Sequence, residues 1–269
     1  MDNRPLGIFD SGLGGLTTVK RIAELLPGES IIYLGDTGRV PYGSRSRETI
    51  LKYASQDAAF LTGFDIKTMV VACNTACSVA YEMLESTYDI PVYEVVSAPA
   101  KAAAEQTANK KIGIIGTTAT IRSCAYETAI KKLSPDSTVF SMACPLFVPL
   151  VEEGWVSPVD EASLIIAERY LENLRELEID TLILGCTHYP LLREIISKVI
   201  GPDVAIIDSG AETAKLVAAD LLSRDMICEN ETGGLIKYFV TDSVEGFSKL
   251  ASRFLESDVD GLVEQVTLE

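Results

Sequence analysis

The 269-residue chain has a single histidine, a single tryptophan and no apolar run approaching the roughly 20 residues needed to cross a bilayer. It also has no basic stripe: 39 acidic side chains stand against 23 basic ones, a net charge of −16. A field of that sign repels nucleic acid, which is excluded as a partner. It repels small anions at long range as well, so an anion site must be local, built from oriented N–H groups, hydroxyls and amides. Residues 1–9 contain no long apolar h-region and no small-residue cleavage site. Together with the missing span, this predicts a cytoplasmic protein with no membrane partner. In that reducing compartment the six cysteines, at 73, 77, 124, 144, 186 and 228, are expected as thiols. No CxxC spacing is present, which argues against a metal site. The turn Ser11-Gly12-Leu13-Gly14-Gly15 lacks the Gly-Lys-Ser/Thr of a P-loop and does not fit the dinucleotide fingerprint, so no cofactor signature is found.

What is there is an alternation. Short β-rich apolar runs at 6–9, 30–34, 68–71, 91–94, 111–115, 181–184, 204–207 and 237–240 are predicted strands. Amphipathic stretches at 17–26, 47–63, 77–86, 96–108, 119–133, 159–177 and 209–223 are predicted helices. The apolar face of the stretch at 159–177 is expected to pack on a sheet. Such a pattern predicts an α/β protein with mostly parallel sheets, whose ligands sit at the carboxyl ends of the strands.

Two local sequences occur twice. Gly7-Ile8-Phe9-Asp10-Ser11-Gly12 is echoed by Gly113-Ile114-Ile115-Gly116-Thr117-Thr118, and Val70-Val71-Ala72-Cys73-Asn74-Thr75 by Ile183-Leu184-Gly185-Cys186-Thr187. Ser11 and Cys73 are 62 positions apart, Thr117 and Cys186 are 69 apart. Order and spacing thus indicate an internal duplication. The expected architecture is two similar doubly wound α/β lobes, related by a pseudo-twofold, with the active site in the cleft between them. The expected domains are 1–96 plus 208–269, carrying Cys73, and 97–207, carrying Cys186.

Each of these cysteines ends a strand and precedes a segment rich in hydroxyls and amides. A thiol there meets helix N–H groups and the positive end of the dipole, which is expected to lower its pKa towards neutrality. For one such cysteine a buried inert thiol is the simpler account. Two at equivalent strand ends of a duplicated fold are much harder to attribute to packing. Two opposed thiols meet the needs of amino-acid racemisation: one as thiolate takes the α-proton, the other as thiol returns a proton to the opposite face. Cys77, one helical turn beyond Cys73, is expected to face the core, and Cys124, Cys144 and Cys228 have no comparable setting.

The other candidates keep their alternatives at this stage. His188, two positions past Cys186, could be its proton partner, a metal ligand or a hydrogen-bonded structural histidine. Asp10 could orient Cys73 or cap a turn. The segment Asp36-Thr37-Gly38-Arg39-Val40-Pro41-Tyr42-Gly43-Ser44 could carry ligand contacts or simply be turn chemistry. Glu152 and Glu153 look like a solvated charge pair.

Taken together, several stretches resemble the glutamate racemase family, within the aspartate/glutamate racemase superfamily. These are Gly7 through Gly15, Asp36 with Val40-Pro41-Tyr42-Gly43, Ala72-Cys73-Asn74-Thr75, Cys144-Pro145-Leu146-Phe147 through Glu152, and Gly185-Cys186-Thr187-His188-Tyr189-Pro190-Leu191. The resemblance implies cofactor-independent interconversion of L- and D-glutamate, supplying D-glutamate for peptidoglycan, by a protein expected to be a homodimer. It implies that Cys73 deprotonates the D enantiomer with Asp10 in support, and Cys186 the L enantiomer with Glu152 and His188. It further implies substrate contacts from Ser11, Pro41, Tyr42, Gly43, Asn74, Thr75, Thr117, Thr120 and Thr187. An aspartate racemase of the same superfamily is the nearest rival, and His188-Tyr189-Pro190 after Cys186-Thr187 favours glutamate. A thiol switch or metal-binding protein using the same cysteines is the rival from another class.

Overall fold

The protein is described from a computed structural model that covers residues 1–230, 232–259 and 261–268. The chain begins β1 (Leu6–Asp10), α1 (Leu16–Leu25), β2 (Ile31–Gly35), α2 (Arg47–Thr62), β3 (Thr68–Val71), α3 (Asn74–Thr87), β4 (Val92–Glu94), α4 (Ser97–Gln106). It continues β5 (Lys111–Gly116), α5 (Thr118–Ser123), α6 (Ala125–Leu133), β6 (Thr138–Ala143), α7 (Phe147–Glu153), α8 (Glu161–Glu176), β7 (Thr181–Gly185), α9 (Arg193–Ile200), β8 (Ala205–Asp208). It closes with α10 (Ser209–Ser223), β9 (Ile236–Val240), α11 (Val244–Leu255) and β10 (Val263–Gln265).

These strands form two sheets, ordered β10-β9-β2-β1-β3-β4 and β6-β5-β7-β8. Every strand pairing among the described residues is parallel. The run β2-β1-β3-β4 of the first sheet repeats β6-β5-β7-β8 of the second, so both lobes are doubly wound in the same order, as expected. Central strands are buried along their whole length, Leu6 to Asp10 and Thr181 to Gly185 among them. Helices on both faces of the sheet leave no solvent side for polar residues to occupy, which is why these strands are nearly continuous apolar runs.

The register explains the spacing seen in the sequence. Leu6 lies opposite Thr68, 62 positions on, and Ile112 opposite Thr181, 69 positions on. Extending each pairing past the strand ends brings Ser11 level with Cys73 and Thr117 level with Cys186. Both cysteines therefore sit at the carboxyl end of a third strand, beside the first, where the winding reverses and ligands bind in such sheets.

Several elements differ from the sequence-based expectation. Strands β6 and β10 were not predicted. Both are sheet edges with exposed or half-buried positions, so they lack the continuous apolar run of a buried strand. Helices α7, α9 and α11 were likewise not predicted. The helix expected over 119–133 is broken at Cys124, which adopts the left-handed conformation at φ 56°. There the Ser123 hydroxyl donates to the Thr120 carbonyl at 2.6 Å and accepts from the Ala125 N–H at 3.2 Å, local bonds that compete with the helical ladder. The helix expected over 77–86 starts earlier, at Asn74, which makes Cys73 itself the N-cap residue. No helix among the described residues is long and apolar enough to cross a membrane.

Candidate active site

The two sheets present their carboxyl ends to one cavity of about 390 Å³. Cys73 and Cys186 both line it, with Ser11, Asn74 and Thr75 from the first sheet and Thr117, Thr187, His188 and Glu152 from the second lobe. Pro41, Tyr42 and Gly43 form a third wall. Asp10 and Thr120 stand just behind this lining. Also in the wall are Val40 and Ser44, from the loop read in the sequence as a candidate for ligand contacts, and Gly12, Thr118, Pro145, Val148 and Pro149, which were not named as site residues. The last five are small or apolar, and only their three-dimensional placement marks them. No lysine or arginine lines the cavity, whose polar lining is hydroxyls, the Asn74 carboxamide, Glu152 and His188.

On the first side, the Cys73 Sγ accepts the Ala76 N–H at 3.4 Å in the first turn of α3 and donates to the Ser11 hydroxyl at 3.4 Å. The helix-end setting expected from the sequence is present, but its predicted effect on acidity is reversed. Burial, reinforced by the negative charge of Asp10, pushes the Cys73 thiol up to about 12. Its hydrogen bonds pull the other way and lose, because removing a thiolate from water outweighs two long hydrogen bonds. Asp10 makes its own bonds elsewhere: Oδ2 accepts the Gly12 N–H at 2.9 Å and Oδ1 accepts the Thr187 hydroxyl at 3.5 Å. Burial raises the Asp10 carboxyl above its ordinary range, and the charge of His188 opposes that rise.

On the second side, the Cys186 Sγ lies 4.0 Å from His188 Nδ1, and His188 Nε2 lies 3.2 Å from Glu152 Oε1. Burial alone would lower the His188 pKa. Hydrogen bonds to Cys186 and Glu152, with the charges of Cys186 and Asp10, more than reverse this and raise it to about 10. These partners therefore favour the protonated imidazole. Glu152, whose sequence setting suggested a solvated pair with Glu153, sits on α7 with its carboxylate turned to this ring. The ring of Phe254, on α11, meets the imidazole edge-on at 5.7 Å, and Arg253 Nη1 donates to the Glu152 carbonyl at 3.4 Å. Helix α11 thus backs His188 and Glu152, a contact without any signal in the sequence.

Hydroxyls join the lobes across the cavity. Thr75 Oγ1 is 2.9 Å from Thr117 Oγ1, which is 3.0 Å from Thr120 Oγ1. Thr17 Oγ1 donates to the Thr187 carbonyl at 3.1 Å. At Gly14 the lobes come so close that a Cβ would lie 2.1 Å from Thr187 Oγ1 and 2.6 Å from His188 Nδ1. That close approach is what the glycine-rich turn provides. Two of the polar side chains expected to contact a ligand are already engaged. The Tyr42 hydroxyl faces Asp36 and Asp57, and the Asn74 carboxamide bonds the Tyr126 hydroxyl and lies 3.5 Å from Ser209 Oγ. Away from the cavity Cys77 is buried in the core as expected, its thiol donating to the Val71 carbonyl at 2.8 Å.

The arrangement offers two thiols with different partners on facing walls of a small cavity that no lysine or arginine lines. Comparison with known proteins places the chain in a family. Residues 12–217 match the family model described as Asp/Glu/Hydantoin racemase. A glutamate racemase of Geobacter metallireducens is 48% identical over 266 residues, spanning 99% of this chain and 97% of that protein. The crystal structure of a glutamate racemase isoform from Bacillus anthracis superposes with a TM-score of 0.94 at 39% identity, over 100% of this chain and 99% of that one. The crystal structure of the Francisella tularensis glutamate racemase in complex with D-glutamate superposes at 0.93 with 38% identity, again over 100% and 99%.

Proposed function

The chain belongs to the Asp/Glu/hydantoin racemase family, among its glutamate racemases, and we propose that it racemises glutamate by two-base proton transfer between Cys73 and Cys186, without a cofactor. The observation that carries this reading is that both thiols, at equivalent strand ends, line one cavity. With L-glutamate, Cys186 as thiolate takes the α-proton, and the bond pair stays on the α-carbon, delocalised into the carboxylate. Cys73 then gives its thiol proton to the opposite face. With D-glutamate the two roles exchange. The raised pKa of Cys73 suits it to hold that proton, and the His188 imidazolium is placed to stabilise negative charge at the Cys186 sulfur. Glu152 orients and charge-pairs the imidazole, while Asp10 acts on both sides through its charge.

The substrate carboxylates would be held by Ser11, Thr75, Thr117 and Thr187 hydroxyls and by N–H groups at the start of α3, with Pro41, Tyr42, Gly43 and Asn74 shaping the pocket. Thr120 acts through Thr117. No lysine among the lining residues could form the aldimine that a pyridoxal cofactor requires, which supports the cofactor-free reading. The relative solved with D-glutamate supports glutamate as substrate. We further assign residues 1–96 with 208–269 to one domain and 97–207 to the other, and place the enzyme in the cytoplasm as a homodimer supplying D-glutamate for peptidoglycan.

Incubating the enzyme with L-glutamate in deuterated water, without added cofactor, tests the proposal. Optical rotation should vanish as deuterium enters the α-carbon. Strict dependence on pyridoxal phosphate would overturn it, and faster exchange on aspartate would reassign the substrate. A reversible Cys73–Cys186 disulfide without any solvent proton entering glutamate would instead indicate a thiol switch.

A further inference from the structure

We propose that Asp57 carries a proton in the folded protein and, through the Tyr42 hydroxyl, fixes the wall of the cleft formed by residues 40–43. Asp36 follows β2 and Asp57 lies on α2, and both side chains are fully buried. One cation serves them. Arg39 Nε donates to Asp36 Oδ2 at 2.6 Å and Nη2 to Asp57 Oδ1 at 2.9 Å, while Nη1 is used by Gln56 Oε1 at 2.5 Å. The Tyr42 oxygen touches Oδ2 of Asp36 and lies 2.8 Å from Oδ2 of Asp57.

A count of protons decides between the two carboxyls. Asp36 faces donors throughout: the Arg39 Nε–H, the Tyr42 hydroxyl and the Thr241 hydroxyl at 2.8 Å. Thr241 Oγ1 accepts from the Gly38 N–H at 2.8 Å, so its own proton is free for Asp36. That is the surrounding of an ionised, acceptor-only carboxylate. A phenol has one proton and the Tyr42 hydroxyl reaches both carboxyls, so it can serve only one of them; the ring of donors around Asp36 assigns it there. An ionised Asp57 would then press a lone pair against the Tyr42 lone pairs across 2.8 Å. With a proton on Oδ2, Asp57 donates to Tyr42 instead, and the buried cluster balances as one guanidinium against one carboxylate. The electrostatics run the same way: burial, then the charge of Asp36, push the Asp57 carboxyl well above the usual range, against the pull of Tyr42 and Arg39.

Asp57 does not line the cavity, whereas Val40, Pro41, Tyr42 and Gly43 do. Gly43 packs on Thr117, with a built Cβ only 3.1 Å from the Thr117 Cβ, so the position of this wall is passed to the Thr75–Thr117 hydroxyl pair. Asp57 is thus a positioning residue, and only the kinetic arm of its test rests on the racemase reading. In the full-length protein, an infrared difference spectrum of wild type against Asp57→Asn should show the carbonyl stretch of a buried protonated carboxyl, lost in the variant. The Asn side chain keeps a donor towards Tyr42, so Asp57→Asn should hold kcat/KM within about threefold, while Asp57→Ala, which leaves the Tyr42 oxygen held by Asp36 alone, should raise KM about tenfold with a much smaller change in kcat. Absence of the band from the difference spectrum, or Asp57→Asn as impaired as Asp57→Ala, overturns the proposal. Should Asp57→Ala fail to fold, the spectrum and Asp57→Asn decide. A wild-type enzyme that does not racemise glutamate would remove the functional reading and leave the infrared result to judge Asp57 alone.

Discussion

Both lobes place a hydroxyl residue at the end of their first strand, level with a cysteine at the end of their third: Ser11 with Cys73, Thr117 with Cys186. The company each sulfur keeps is different. Cys73 is surrounded by a hydroxyl, a backbone N–H and, nearby, the buried Asp10, and its thiol is pushed up to about 12. Cys186 faces a histidine that is itself raised to about 10 and backed by Glu152. Asp10 crosses the boundary, since it bonds Thr187 of the other lobe and helps keep His188 charged. The two lobes therefore match in geometry and differ in the groups that surround each sulfur. A reaction that adds a proton on one face and removes one from the other uses both.

The strongest way to break this comparison is to remove either sulfur. Cys73→Ala and Cys186→Ala should each lower racemisation by about 10³-fold with the fold intact, measured by polarimetry alongside thermal melting. Full activity in either variant would remove that thiol from the proposed mechanism. Gly14→Ala tests the apposition of the lobes rather than their chemistry. Its Cβ would collide with Thr187 and His188, and displacing the second wall by about an ångström should reduce kcat/KM by about 10²-fold.

The asymmetry itself is sharpened by Glu152→Gln, which removes the charge that helps hold the imidazolium. Activity should fall about tenfold, the scale of one charge-assisted hydrogen bond. The same pairing has a signature in stability. Because the folded-state pKa of His188, about 10, lies above its ordinary 6.5, its proton stabilises the fold fully below 6.5 and that contribution is lost as pH rises to about 10. The melting temperature of the wild type should therefore decline across that window relative to His188→Asn. A constant difference between the two would show that the imidazolium is not preferentially held. The smallest effect is expected from Thr120→Val, which takes a hydroxyl from behind Thr117 and should raise KM only about threefold.

The pairing of strands at offsets of 62 and 69 was legible because buried parallel strands must be apolar throughout, so their ends stand out in the sequence. Edge strand β6 was not, since Thr138–Ala143 is half exposed and carries no such run. Among site residues, Cys73 and Cys186 were marked by repetition alone. The local setting of Glu152 gave no sign of its partner, and only the family resemblance put it with His188, because the apposition of α7 with the loop after β7 is a long-range contact. Phe254 and Asp57 lie on helices whose local patterns fit ordinary packing.

What the sequence by itself determined is the alternation of strands and helices, the duplicated strand-and-cysteine unit and the demand that any anion site be local. Periodicity, spacing and net charge are properties of the chain, so no tertiary contact is needed to establish them. What only the tertiary structure decided is the protonation landscape. A cysteine at a helix start looks activated in one dimension, and burial beside Asp10 reverses that at Cys73. A lone histidine looks ambiguous, and Cys186, Glu152 and Asp10 favour its cationic form. A pKa depends on how much water is excluded and which charges lie within a few ångströms, and both are set by residues distant in the chain.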